Sequence, residues 1–303
     1  MKLWNHYHTP QTVDDAIRLL SQYAGQARII AGGTDLLVEI RAEDHPPQEA
    51  LIDITRIPSL TQITHQLDEI RVGAGVTHSQ IVRSAQLLQS ATCLVESCGV
   101  VGGPQVRNVG TIGGNVAHAL PAGDATTSLV ALNAQAEIIQ NGQRQWVPIL
   151  DMYRGPGQSL LDSTRDLLLG FRFEPASGRT ATAFKRVMRP QGVALPVLGC
   201  AVWVKLSDDG LQIQDIRFSI APIAPKPLRV SQLESALIGK STEEDTIQYA
   251  GEFAQSCIQP RTSKYRATAE YRHELIAVLV RRTLALAIRR AKSGEIVPEG
   301  IGL

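Results

Sequence analysis

The stretch Val101–Asp124, "VGGPQVRNVGTIGGNVAHALPAGD", holds six glycines, at Gly102, Gly103, Gly110, Gly113, Gly114 and Gly123, with Thr111, Asn115 and Asp124 set among them. Bare backbone at this density suits the wrapping of a ligand. Glycine admits positive φ and close approach, and successive backbone N–H groups can cradle an anion. Gly113-Gly114-Asn115 reads as a turn of bare amides. The Thr111 hydroxyl and the Asn115 side chain can hold phosphate or sugar-alcohol oxygens. Asp124 can accept from a sugar hydroxyl, as acidic residues do in other nucleotide sites. Its plainer reading is a cap on the helix expected over "ATTSLVALNA".

A second glycine turn lies upstream in "IIAGGTDLL", Ile29–Leu37, where a short strand delivers Gly32-Gly33 into a loop. No Gly-Lys-Ser or Gly-Lys-Thr follows, so it is not a P-loop; nor does it have the G-x-G-x-x-G spacing of the dinucleotide fold. Either turn alone is compatible with an ordinary strand-to-loop connection. Together they fit one extended ligand with two phosphates, held from two sides by neutral amides. Such a site needs little basic charge nearby.

The composition agrees. Thirty basic and 29 acidic residues leave a net charge of +1 over 303 residues, which points to neither nucleic acid nor an anionic membrane as partner. The apolar run "LIAVLV" at Leu275–Val280 falls far short of a membrane span of ~20 residues. "MKLWNHYHTP" has no apolar signal-peptide core, so the expected compartment is the cytoplasm. Cys93, Cys98, Cys200 and Cys257 show no iron–sulfur spacing and read as free, mostly buried thiols. His6 and His8 have no acidic or cysteine partner nearby in sequence, and no metal site is expected. The arginines of "RRTLALAIRRAK" read as a solvated or subunit-facing surface.

Along the chain, helical and strand patterns alternate. "TVDDAIRLLSQYA" has helical spacing, "ARIIAGG", "ALIDI" and "EIRVGAGV" read as strands, and "THSQIVRSAQLL" as one helix capped at Thr77 or Ser79. "AEIIQNGQRQWVPI" is a hairpin around Asn141-Gly142, and "AVWVKLSDDGLQIQDIRFSIAPIA" another around Asp209-Gly210. A long helix is expected from Ala269 to about Ala291. "EPASGRT", Glu174–Thr180, marks a boundary between two parts.

"AGGTDLL" followed by "GPQVRNVGTIGGNVAHALPAGD" resembles the FAD-binding, or medium, subunit of the molybdenum hydroxylases, the xanthine dehydrogenase and carbon monoxide dehydrogenase type. The likeness spans nearly the whole chain. "YHTPQTVDDAIRLL" resembles the family's first strand and helix, "RDLLLGFRFE" and "FKRVMRP" its domain-closing segments, and "PRTSKYRATAEYR" its C-terminal domain. The resemblance implies an α+β chain: a two-part FAD-binding domain of the vanillyl-alcohol-oxidase type over 1–176, split near 55–60, then a smaller α/β C-terminal domain over 180–303. It implies a pyrophosphate loop of Arg28, Ile29, Ile30, Ala31, Gly32, Gly33, Thr34 and Asp35. Thr111, Ile112, Gly113, Gly114 and Asn115 form the second nest, and Asp124 reaches the sugar or ribityl chain. Leu168 and Lys185 match positions near the flavin ring, where a lysine can stabilise the charge of reduced flavin. Val101 stands where relatives often carry an aromatic, so stacking is lost there. "QGVALPVLG", Gln191–Gly199, replaces an Asp followed by an apolar pair. His118 reads as a local hydrogen-bonding histidine rather than a point of covalent attachment, so the FAD is expected to be non-covalent.

The function implied is electron transfer from a molybdenum centre, through [2Fe-2S] clusters, to FAD and then to an acceptor. The molybdenum cofactor and clusters are expected on partner subunits in a dimer of heterotrimers, with NAD, oxygen or a quinone as acceptor. No catalytic side chain is expected, because the chemistry belongs to the ring. Two rival readings remain: an autonomous flavin oxidase or dehydrogenase, and a scaffold that has lost flavin.

Overall fold

Thr12 starts the first helix by taking extended backbone and accepting from the Asp15 amide at 3.1 Å, which satisfies one of the helix's orphan donors. The computed structural model describes residues 3–42, 47–189, 195–264 and 266–300. Strand β1 (Trp4–His8) precedes helix α1 (Val13–Tyr23), and β2 (Ala27–Ile30), α2 (Leu36–Arg41) and β3 (Gln48–Asp53) follow. The three strands form a parallel sheet in the order β1-β3-β2. Ala16 and Leu20, one turn apart on α1, join Ala27, Ala50 and Ile52 in its core.

A second sheet begins with β4 (Ile63–His65) and β5 (Ile70–Gly73). Helices α3 (His78–Val82), α4 (Ala85–Ser90) and α5 (Thr92–Gly99) come next. The single helix expected over "THSQIVRSAQLL" is therefore two, because Ser84 is extended and caps α4 by accepting from the Leu87 amide at 3.3 Å. The glycine-rich stretch carries α6 (Pro104–Val109) and α7 (Ile112–Ala117), and α8 (Asp124–Ala131) follows. Strands β6 (Gln135–Gln140) and β7 (Gln143–Pro148) turn at Asn141 and Gly142, with φ of 51° and 76°, the paired positive angles that an Asn-Gly hairpin favours. The short pair β8 (Tyr153–Gly155) and β9 (Gln158–Ser159) precedes β10 (Leu167–Phe173), which completes an antiparallel sheet ordered β4-β5-β10-β6-β7.

The rest of the chain builds β11 (Thr180–Met188), β12 (Pro196–Leu206), β13 (Ile213–Ala221) and β14 (Leu228–Arg229), an antiparallel sheet in sequence order. Helices α9 (Ser231–Leu237), α10 (Glu244–Cys257) and α11 (Ala269–Ser293) follow. The turn at Asp209-Gly210 forms as expected: Gly210 has φ 75° and the Asp209 carboxylate accepts from the Leu211 amide at 2.9 Å. The terminal helix also forms where expected. Thr268 caps its start, and Gly294, with φ 71°, ends it. Its Ile276, Val280, Leu284 and Ile288 share a core with Val202, Val204 and Phe218 of the sheet.

Contacts divide the chain into two units, each discontinuous in sequence. The first comprises Met1–Gln80, Pro104–Ala119 and Ala134–Phe173; the second comprises Ile81–Gly103, Leu120–Asn133 and Glu174–Leu303. The second unit thus includes α5, which packs against β11, and α8, which packs against β12 and β13. Within it, Glu96 of α5 is 1% exposed and accepts from Arg290 Nη2 at 2.5 Å, the Phe184 amide at 2.8 Å and the Glu299 amide at 2.8 Å. Arg290 also donates to the Thr182 carbonyl at 2.8 Å and the Val297 carbonyl at 2.5 Å. A buried charge is tolerable only when paired and hydrogen-bonded in this way. None of the four cysteines, all of them described residues, forms a disulfide, and Cys93, Cys98 and Cys200 are buried.

Candidate cofactor site

Strand β2 ends at Ile30 and hands the chain to Ala31–Asp35 before α2 begins. Gly33 takes φ 67°, which an L side chain adopts only with strain. Among the described residues, the backbone N–H groups of Gly32, Gly33 and Thr34 find no acceptor. Three successive unpaired donors around a positive-φ glycine make an anion-binding concavity.

The glycine-rich stretch lies directly against this loop. A Cβ built on Gly32 would stand 2.1 Å from the Val109 carbonyl oxygen and 2.8 Å from Gly110 Cα. Gly113 is equally confined, with its virtual Cβ 2.5 Å from the Ala74 carbonyl oxygen. Ladder-like bonds tie the stretch to the segment after β5: His78 N to Gly110 O at 3.0 Å, Ile112 N to Val76 O at 2.9 Å, and Gly113 N to Ala74 O at 2.9 Å. The two turns expected to face one ligand are therefore adjacent, backbone against backbone.

The stretch differs from expectation in what it presents. The amides of Gly113, Gly114 and Asn115 are not bare: they donate to Ala74 O, to Thr111 Oγ1 at 3.0 Å and to Thr111 O at 3.0 Å. Thr111 caps α7, which lets a helix run through two glycines. Thr111, Ile112 and Gly113 are buried, while Gly114 is exposed and Asn115 half-buried. The free donors thus sit on the first loop, and the second supplies side chains and a tight backing.

The other site residues fall in different surroundings. Arg28, half-buried on β2, has its basicity reduced by burial against the opposing charges of Glu39 and Asp162. Ile30 is buried beside Ile40 and Leu51. Leu168 is buried on β10 at a bulge opposite Ile138. His118 lies with its Nδ1 3.5 Å from Glu39 and its Nε2 4.0 Å from Asp35, as fits a local polar partner.

Val101, Asp124 and Lys185 belong to the second unit. Asp124 does not cap α8: Gly123 is the capping residue and no side chain bonds there. Its carboxylate pairs with Arg186 at 2.5 Å, a partner the sequence did not reveal. Burial pushes its pKa up to about 7 against the opposing pull of Arg186 and Arg266. Lys185 is ion-paired with Glu299, which also meets Arg289 at 3.1 Å. Of Gln191–Gly199, residues 191–194 lie outside the described residues, as does Tyr265 of the C-terminal motif.

His78 offers a pH readout of the backing. Its ring is 1% exposed, and burial, aided by the charge of Arg107, pushes its pKa down to about 4. A histidine titrating near 6.5 when unfolded stabilises this fold fully above that pH. The contribution, about 3 kcal/mol, disappears as pH falls from 6.5 towards 4. Urea unfolding at pH 7.5 and 4.5 should show the loss, and His78→Gln should remove the His78 share of it.

A family profile described as the FAD binding domain in molybdopterin dehydrogenase matches residues 3–173. The chain belongs to that family. A second profile, the CO dehydrogenase flavoprotein C-terminal domain, matches residues 182–287. The carbon monoxide dehydrogenase medium chain of Hydrogenophaga pseudoflava is 30% identical over 284 residues, covering 94% of this chain and 97% of that one. The xanthine dehydrogenase FAD-binding subunit of Escherichia coli O157:H7 is 28% identical over 288 residues, covering 94% and 96%. The solved carbon monoxide dehydrogenase of H. pseudoflava that lacks the Mo-pyranopterin moiety superposes with a TM-score of 0.85 at 29% identity, covering 94% and 97% of the two chains. This chain is therefore an FAD-binding medium subunit of the molybdenum hydroxylase type, an oxidoreductase component with the two-part α+β architecture expected. The unpaired amides of Gly32–Thr34 fit the diphosphate of FAD, whose charge is spread over oxygens that accept such donors.

Proposed function

We propose that this subunit passes electrons from [2Fe-2S] clusters on a partner, through FAD, to a soluble or membrane-borne acceptor. The observation that carries the proposal is the run of unpaired donors at Gly32–Thr34 held against the second glycine stretch. Arg28–Asp35 would hold the diphosphate, with Thr111–Asn115 as backing and side-chain contacts. Asp124, Val101, Leu168 and Lys185 enter the proposal on the family motif. Bound FAD supplies the two-electron to one-electron exchange that side chains cannot; the chain's own residues bind and orient it. His118, flanked by Asp35 and Glu39, serves the loop and leaves the flavin non-covalent.

The proposed partners are an iron–sulfur and a molybdenum-cofactor subunit in a dimer of heterotrimers, with NAD, oxygen or a quinone as acceptor. The relatives named as medium chain and FAD-binding subunit support this. The described residues contain no group of three or more His, Cys, Asp or Glu placed to hold a metal. None of their helices is long and apolar enough to cross a membrane, and the proposed compartment is the cytoplasm. The two profile matches, 3–173 and 182–287, support a functional division at 176–180.

The FAD-loaded chain alone is expected to show no steady-state oxidation of purines, aldehydes or carbon monoxide. Adding the partner subunits should restore turnover without changing the flavin spectrum. Turnover of such a substrate by the isolated chain would replace this reading with that of an autonomous flavoenzyme.

A further inference from the structure

Asp124 is a carboxylate in a place that disfavours its charge. Both it and Arg186 are buried, with side chains 6% and 8% exposed. Arg186 is itself anchored at two further points: Nη2 donates to the Val100 carbonyl at 2.7 Å and lies 3.2 Å from Met188 Sδ. Its Nε is buried without a hydrogen-bond partner. A guanidinium held this tightly at its far end has little freedom in where it directs Nη1. It therefore fixes one carboxylate oxygen, Oδ2, while Oδ1 receives no hydrogen bond from the described residues.

We propose that Arg186 is the positioning residue of Asp124, orienting the buried carboxylate and keeping it ionised so that its other oxygen can accept a cofactor hydroxyl. The proposal rests on the reading of Asp124 as a cofactor contact. Among the described residues, Arg186 from β11, Arg266 from the segment before α11 and the Cys98 thiol from α5 face Asp124. Arg266 is itself half-buried and less basic than usual through desolvation, and among the described residues Arg186 alone pairs directly with the carboxylate. Removing the guanidinium leaves burial unopposed, and the carboxyl then stays protonated to a more alkaline pH. A protonated carboxyl loses much of its strength as an acceptor.

The test is FAD affinity of the full chain, by flavin fluorescence, from pH 5.5 to 9.5. Wild type is expected to bind tightly above about pH 7 and progressively less tightly below it, following Asp124. In Arg186→Gln the break should move to higher pH by at least one unit, giving a loss of about tenfold at pH 7 per unit moved that recovers near pH 9.5. Arg186→Lys, which keeps the charge, should move the break back towards wild type; it also carries the test if the glutamine variant does not fold. Asp124→Asn should bind weakly with no break in this range. A loss by Arg186→Gln that is equal at every pH, or a profile that superposes on wild type, overturns the proposal. Wild-type binding by Asp124→Asn removes Asp124 from the cofactor contacts and takes this inference with it.

Discussion

Gly32→Val is expected to purify without flavin. Its Cβ would meet a carbonyl oxygen at 2.1 Å and a neighbouring Cα at 2.8 Å. Neither is a side chain that can rotate away, so the loop or the α6–α7 segment must move. Overpacking of this kind costs about 3 kcal/mol or more when only backbone can yield, and the displaced loop carries the three unpaired donors. The ratio of flavin to protein absorbance should fall below about one-tenth of wild type, with a lowered melting temperature. Gly114→Ala is the control. Its Cβ meets only Thr111 Oγ1, at 3.1 Å, from an exposed position, so the protein should stay folded and largely flavin-loaded. Full FAD content in Gly32→Val would remove the interlocked loops from the site.

The second large effect lies in the other unit. Arg290→Met should destabilise the protein by about 3–5 kcal/mol, because Glu96 would be left buried and charged without its partner. In a chain of this size that corresponds to a fall in melting temperature of about 10 °C. The double variant Glu96→Gln with Arg290→Met should recover much of the loss, since replacing both members removes the uncompensated charge. Equal stability of Arg290→Met and wild type would show that the pair adds nothing. The two units separate the readouts, as Gly32→Val strikes flavin retention first and Arg290→Met strikes stability first.

Local signals in the sequence carried much of this. Thr12, Thr268, Asn141-Gly142 and Asp209-Gly210 act through their own neighbours, so caps and turns formed where their chemistry placed them. The strand running into Gly32-Gly33 was equally legible. The helices through Pro104–Val109 and Ile112–Ala117 were not. Two consecutive glycines argue against a helix by propensity, and here the Thr111 cap and the bonds to Ala74 and Val76 override it. The same bonds use the amides that the glycines of the second nest suggested were free. Long-range charge pairs were also hidden. Nothing in the local sequence sets Arg186 or Glu96 apart from other charged residues. Their partners, Asp124 and Arg290, lie 62 and 194 positions away in sequence, and only the fold brings them together.

The contact between Gly32 and Val109 bears on how this protein can diverge. What Gly32 meets is the carbonyl of residue 109, and every amino acid carries the same carbonyl. The Val109 side chain is 49% exposed and takes no part. Selection on the contact therefore falls on one position alone: residue 32 is held to glycine, while residue 109 is free to drift with its solvent surroundings. No compensating exchange at 109 can rescue a larger residue at 32. Two segments this tightly joined would leave no correlated substitutions between these positions, and methods that infer proximity from paired changes are blind to the joint on which the Gly32 loop rests.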